Sequence, residues 1–166
     1  MLYTILYTSS ANRTFDEDEL VDLLVRLRTW NDSHSITGCL AYVEGLLNGN
    51  GQCKFIHVLE GSKSNVQEVF AEIKRDSRYS DLTLIKEGKI EQRKFATWKM
   101  GVDRIRLSDN PVLQYFFSMN SDILSKDGDA ENNMLMDFMR AFYNQKKSFE
   151  LECLNFQEFR MLRKAL

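Results

Sequence analysis

Two rhythms of apolar residues run through the N-terminal part of the chain, one of period two and one of period three to four. Leu2, Thr4 and Leu6 alternate with Tyr3, Ile5 and Tyr7, so Leu2 to Tyr7 reads as a strand with Tyr7 at its end, facing the same way as Ile5. Asp16-Glu17-Asp18-Glu19 then reads as a helix start, with Asp16 as cap and Glu19 three residues on. Leu20, Leu23, Leu24, Leu27 and Trp30 follow at helical spacing and predict one buried stripe, with Arg26 and Arg28 in the last turn and Asn31 at the end. Ile36 to Val43 is a short apolar run with one glycine, expected as a central strand. Asn48-Gly49 and Asn50-Gly51 are strong turn signals that join it to Lys54–Gly61 as a hairpin. Ser64 and Gln67 form a second capping box ahead of a stripe of Val66, Val69, Phe70 and Ile73. Asp81 to Lys89 and a short segment around Trp98 to Val102 complete the strands.

The order β-α-β-β-α-β-β, with two one-sided helices, predicts an α+β fold: a ferredoxin-like sheet carrying both helices on one face. From Asp103 the pattern turns helical. Ser108-Asp109-Asn110-Pro111 is a stop followed by a helix start, and Val112 to Phe117 reads as a short helix. Asp127-Gly128-Asp129 breaks the chain, Leu135, Phe138, Met139 and Phe142 form an amphipathic stripe, and Phe149, Cys153, Phe156 and Phe159 continue a helical tail. These C-terminal helices are expected on the other face of the sheet. The expected division is a domain over residues 1–104 and a helical extension over 105–166 that packs on the sheet, mediates partner contacts, or does both.

Composition narrows the class of function. With 43% hydrophobic and 28% charged residues the chain reads as an ordinary soluble globular protein. A net charge of −2 and an isoelectric point near 5.8 argue against a nucleic-acid surface. No apolar run is long enough to cross a bilayer, and a cytoplasmic location is expected. Cys39, Cys53 and Cys153 are odd in number, lack metal-ligand spacing and read as reduced core thiols. No phosphate-binding glycine loop, metal cluster or nucleophile–base pair is recognisable, so no enzyme activity is expected.

The stretch Lys54 to Gly61, K-F-I-H-V-L-E-G, concentrates the candidate chemistry. Alternation turns Phe55, His57 and Leu59 to one face, placing a titratable ring on an apolar wall. Such a histidine is either a core residue satisfied by a neighbouring hydroxyl or carbonyl, or a working group.

Taken together, L-Y-T-S-S at the first strand, N-x-x-x-x-I-T-G from Asn31 to Gly38, F-I-H-V-L-E-G, D-S-R-Y from Asp76 to Tyr79 and F-A-T-W-K-M-G from Phe95 to Gly101 resemble the BLUF domain, the blue-light sensor that uses FAD. The resemblance implies a flavin ring between the two helices, next to the sheet. It implies that Tyr7 gives an electron and then a proton to the excited flavin, and that the Asn31 amide pairs with the polar edge of the ring. Ile36 and Phe55 would line the apolar sandwich, Asp76 and Arg78 would lie near the ribityl side, and Trp98 and Met100 would form the pair that exchanges places as the signal passes on. Where the family has a glutamine between tyrosine and flavin, this chain has His57, which cannot flip like an amide but can exchange tautomers. Trp30, Leu27 and Glu72 also depart from the family pattern. The resemblance thus implies a blue-light photoreceptor with non-covalent FAD, FMN or an empty degenerate site being the alternatives. It would signal to a protein partner, or to another copy, through the C-terminal helices or the sheet. The competing expectation is a flavin-free interaction module whose helix gap is filled by Trp30 and Leu27.

Overall fold

The computed structural model describes residues 1–47, 50–106 and 133–145. Its elements are β1 (Leu2–Ala11), α1 (Glu17–Ser33), β2 (Thr37–Leu47), β3 (Asn50–Ser62), α2 (Lys63–Arg75), β4 (Tyr79–Lys89), β5 (Trp98–Arg106) and α3 (Met134–Gln145). The strands form one sheet in the order β4-β1-β3-β2-β5, with β2 and β5 parallel and the other pairs antiparallel. This is the α+β, ferredoxin-like plan read from the sequence.

Residues 55–60 of the central strand β3 are buried on both faces. That is why four of the five residues from Phe55 to Leu59 are apolar, His57 being the exception. On one face Ile5, Tyr7, Leu40, Tyr42, Phe55 and Leu59 pack with Leu20, Leu23, Leu24 and Leu27 of α1 and Val66, Val69, Phe70 and Ile73 of α2. On the other, Leu6, Cys39, Ala41, Val43, Ile56 and Val58 meet Leu135, Met136, Met139 and Phe142 of α3. Helix α3 therefore lies opposite α1 and α2, as expected of the C-terminal stripe Leu135, Phe138, Met139 and Phe142, of which Phe138 is only half-buried.

The cap of α1 forms as read: Asp16 Oδ1 accepts from Glu19 N at 2.9 Å and Glu19 Oε2 accepts from Asp16 N at 3.0 Å. Such a cap contributes about 1 kcal/mol. Five readings need correction. Helix α1 runs on to Ser33, so Arg26 and Arg28 lie before its last turn. Trp30 is 41% exposed, and the buried stripe continues from Leu27 to Asn31 instead. The cap of α2 is Ser62, whose side chain accepts from Asn65 N at 3.2 Å, and Ser64 already lies inside the helix. Strand β1 continues past Tyr7 to Ala11, and β5 is longer than the segment read around Trp98 to Val102.

Gly38 is required by its backbone. Its φ is +147°, and a Cβ there would lie 2.0 Å from Val58 O on β3. The turn at Asn48-Gly49, the helix at Val112–Phe117, the break at Asp127–Asp129 and the tail from Phe149 to Phe159 lie outside the described residues. The strands flanking that turn pair out to Leu47 and Asn50.

Candidate functional site

Cross-strand register sets the site. Tyr7 pairs with His57 between β1 and β3, His57 with Leu40 on β2, and Leu40 with Met100 on β5. These residues stand in one line across the sheet. Tyr7 Oη lies 2.6 Å from His57 Nδ1. Trp98 stands beside Gly38, and because Gly38 has no side chain the indole reaches across β2, donating from Nε1 to His57 Nε2 at 3.0 Å.

The surroundings of this triad are dry. His57 and Tyr7 are each 1% exposed and Trp98 2%. Burial lowers the His57 pKa from 6.5 to about 3, so the ring is neutral at ordinary pH. Burial likewise pushes the Tyr7 phenol well above its usual value, with smaller contributions from Tyr79 and Asp76. The Phe70 ring of α2 covers Tyr7 at a centroid distance of 5.1 Å. Met100 is half-buried against the same apolar cluster.

Asn31 is fully buried on α1, and neither its Oδ1 nor its Nδ2 has a partner. Its backbone oxygen is used normally, accepting from Ile36 N at 2.9 Å as the chain turns into β2. An amide buried with neither end satisfied costs about 1–3 kcal/mol per group. Ser9 Oγ is a second such atom, on a residue 1% exposed and paired with Phe55 in the strand register. The sequence reading passed over Ser9, although its place two residues after Tyr7 puts it on the same strand face.

Ile36 and Phe55 are fully packed core residues, Phe55 lying edge-on to Phe15 and Tyr79. Asp76 caps α2, and Arg78 closes on it, with Nε 2.8 and 2.9 Å from the two carboxylate oxygens. Burial alone would raise the Asp76 carboxyl; the hydrogen bonds from Arg78 outweigh it and hold the group below its usual range. A hollow of about 300 Å³ lined by Asn12, Arg13, Glu19, Arg26 and Arg78 adjoins this pair. The sequence reading gave Arg26 no part in the site; its signal is the i, i+4, i+8 stripe of Asp22, Arg26 and Trp30.

The departures from the family pattern fall on the surface or in the core. Trp30 stacks on His34 at 4.6 Å, outside the gap it was expected to fill. Leu27 is buried. Glu72 is exposed and ion-paired with Arg75. Two contacts tie the start of β5 to its neighbours: Thr97 N donates to Tyr143 Oη on α3 at 3.2 Å, and Gly38 N donates to Thr97 O at 3.2 Å. Glu60, also buried, accepts from Lys94 N and Phe95 N at 2.9 and 3.2 Å and so fixes the loop leading into β5. Among the described residues there is no metal-ligating cluster and no helix long and apolar enough to cross a membrane.

Comparison with known proteins agrees with this arrangement. The profile of the family described as BLUF, sensors of blue-light using FAD, matches residues 2–101. The photoactivated adenylate cyclase subunit beta of Euglena longa is 30% identical over 100 residues, which are 60% of this chain and 11% of that protein. The chain thus spans about a tenth of the length of that relative. Among solved structures, the dark state of BlrB, a BLUF protein, superposes with a TM-score of 0.59 at 22% identity, covering 85% of this chain and 96% of that one. A bacterial light-regulated adenylyl cyclase gives 0.57 at 21% identity, covering 85% and 40%. At these identities the structural likeness establishes the fold.

Proposed function

The chain belongs to the BLUF family, sensors of blue-light using FAD, and we propose on that premise that it binds FAD non-covalently and reports blue light to a protein partner. The observation that carries the reading is Asn31, whose buried amide has both ends unpartnered on the inward face of α1. One donor and one acceptor side by side suit the alternating acceptors and donor along the polar edge of a flavin ring. A bound flavin supplies the light absorption and the electron acceptor; the protein supplies orientation, dryness and tuning.

In this reading Asn31 holds the polar edge of the ring, with Ser9 as a further hydroxyl on the neighbouring strand. Ile36 and Phe55 contribute apolar wall. Tyr7 is the electron donor, and His57 bonds its oxygen and joins it to Trp98. Asp76 and Arg78 face the ribityl side. Arg26 and Arg78, both lining the adjoining hollow, lie where a flavin phosphate could be met, because guanidinium groups pair well with phosphate. The outward turn of Trp30 weighs against the flavin-free alternative, which needs that indole inside.

The output belongs to the far face. Residues 1–104 form the sensing unit, and the extension over 105–166 carries the change to a partner or a second copy in the cytoplasm, without chemistry of its own. Titrating the full chain with FAD in the dark tests the reading. Saturable quenching of flavin fluorescence, weakened by Asn31→Ala, is expected; absence of binding contradicts it.

A further inference from the structure

The His57 ring lies between two hydrogen-bonding groups that differ in what they can do. Tyr7 on the Nδ1 side has a hydroxyl that donates or accepts. Trp98 on the Nε2 side has an indole N–H that can only donate. At 3.0 Å from that N–H, Nε2 must present a lone pair. A ring with hydrogen on Nε2, whether the other neutral tautomer or the imidazolium, would set two N–H groups against each other in a site closed to bulk solvent.

We infer that Trp98 is a positioning residue that holds His57 as the Nδ1–H tautomer, and that the ring's tautomer and the seat of the indole are one linked variable. Two consequences follow from geometry. With hydrogen on Nδ1, His57 donates to Tyr7, so the Tyr7 oxygen accepts and its own hydrogen is left for an acceptor other than His57. With hydrogen on Nε2, the indole cannot keep its place. Because Trp98 follows Thr97, which is bonded to Gly38 on β2 and to Tyr143 on α3, a displaced indole acts at the joint between sheet and helix. The use of this linkage in signalling rests on the sensor reading above; the tautomer itself does not.

The test is a long-range proton–nitrogen NMR spectrum of the 15N-labelled full chain in the dark, with and without added FAD. His57 should show a protonated Nδ1 and an unprotonated Nε2. Trp98→Phe, which removes the donor, should let the Nε2–H tautomer appear, while Tyr7→Phe, which leaves the indole in place, should keep the wild-type pattern. A wild-type ring protonated on Nε2 overturns the inference, as does an unchanged pattern in Trp98→Phe or a switch caused by Tyr7→Phe. Should Trp98→Phe fail to fold, the other two spectra decide. A colourless protein protonated on Nδ1 would sink the sensor reading and leave this inference standing; a yellow protein protonated on Nε2 would do the reverse.

Discussion

Tyr7 and His57 are register partners on adjacent strands, and their polar atoms meet at 2.6 Å inside the protein with each residue only 1% exposed. A titratable ring so placed costs stability whenever it must charge, and that cost can be measured.

His57 has a folded pKa of about 3 against an ordinary 6.5. Between those values the unfolded chain binds a proton that the folded ring does not, so this contribution to stability is intact above about pH 6.5 and is lost as pH falls toward 3. The slope approaches roughly 1.4 kcal/mol per pH unit for one such group. Urea denaturation of wild type and His57→Gln across this range should diverge on acidification, the variant losing less. Parallel curves would show that His57 is not buried as described.

Gly38→Ala should be severe. The added Cβ would lie 2.0 Å from the Val58 carbonyl oxygen, in a central strand whose backbone cannot yield, and at φ +147°. A loss of about 3 kcal/mol or more is expected. Thermal unfolding checks it, and a shift no larger than that of a surface substitution would contradict the geometry.

The hydrophobic pattern made the fold legible because α1 and α2 each bury one face, and the stripes at Leu20 to Leu27 and Val66 to Ile73 report those faces directly. It failed at α1 for an instructive reason. Leu27 is followed on the inward stripe by position 31, four residues on, yet that position holds a polar Asn, so counting apolar residues assigned the inward place to Trp30. A polar side chain at an inward position breaks the apolar pattern there. The continuation of β1 through Thr8-Ser9-Ser10-Ala11 was missed similarly, since small polar residues have weak strand preference and are held here by pairing with β3 and β4. The facing of Tyr7 and His57 was within reach of alternation. The reach of Trp98 over Gly38 was not, because it depends on a parallel strand pairing that local sequence does not specify.

Asn31→Leu separates binding from folding. Losing an amide with two unpartnered atoms should leave the flavin-free protein as stable as wild type or more so, while flavin affinity falls about tenfold or further. Denaturation without flavin and a binding titration together check this. A variant that unfolds easily yet binds flavin normally would assign Asn31 to the fold alone.

Glu60 offers a control remote from the ring. Its Oε2 accepts the Lys94 and Phe95 backbone hydrogens, so Glu60→Ala should cost about 2–4 kcal/mol by leaving them unpaired. Glu60→Gln, which keeps an acceptor oxygen, should cost less. Equal losses in chemical denaturation would mean that the carboxylate's charge matters more than its hydrogen bonds.

The central claim is that Tyr7, His57 and Asn31 border a bound, light-responsive flavin. The most direct test is the visible absorption spectrum of the full chain loaded with FAD, recorded in the dark, under blue light, and again after return to darkness. A yellow protein whose flavin band shifts slightly to the red and recovers in the dark is the expected result. A colourless protein, or a flavin band unmoved by light, would contradict the account.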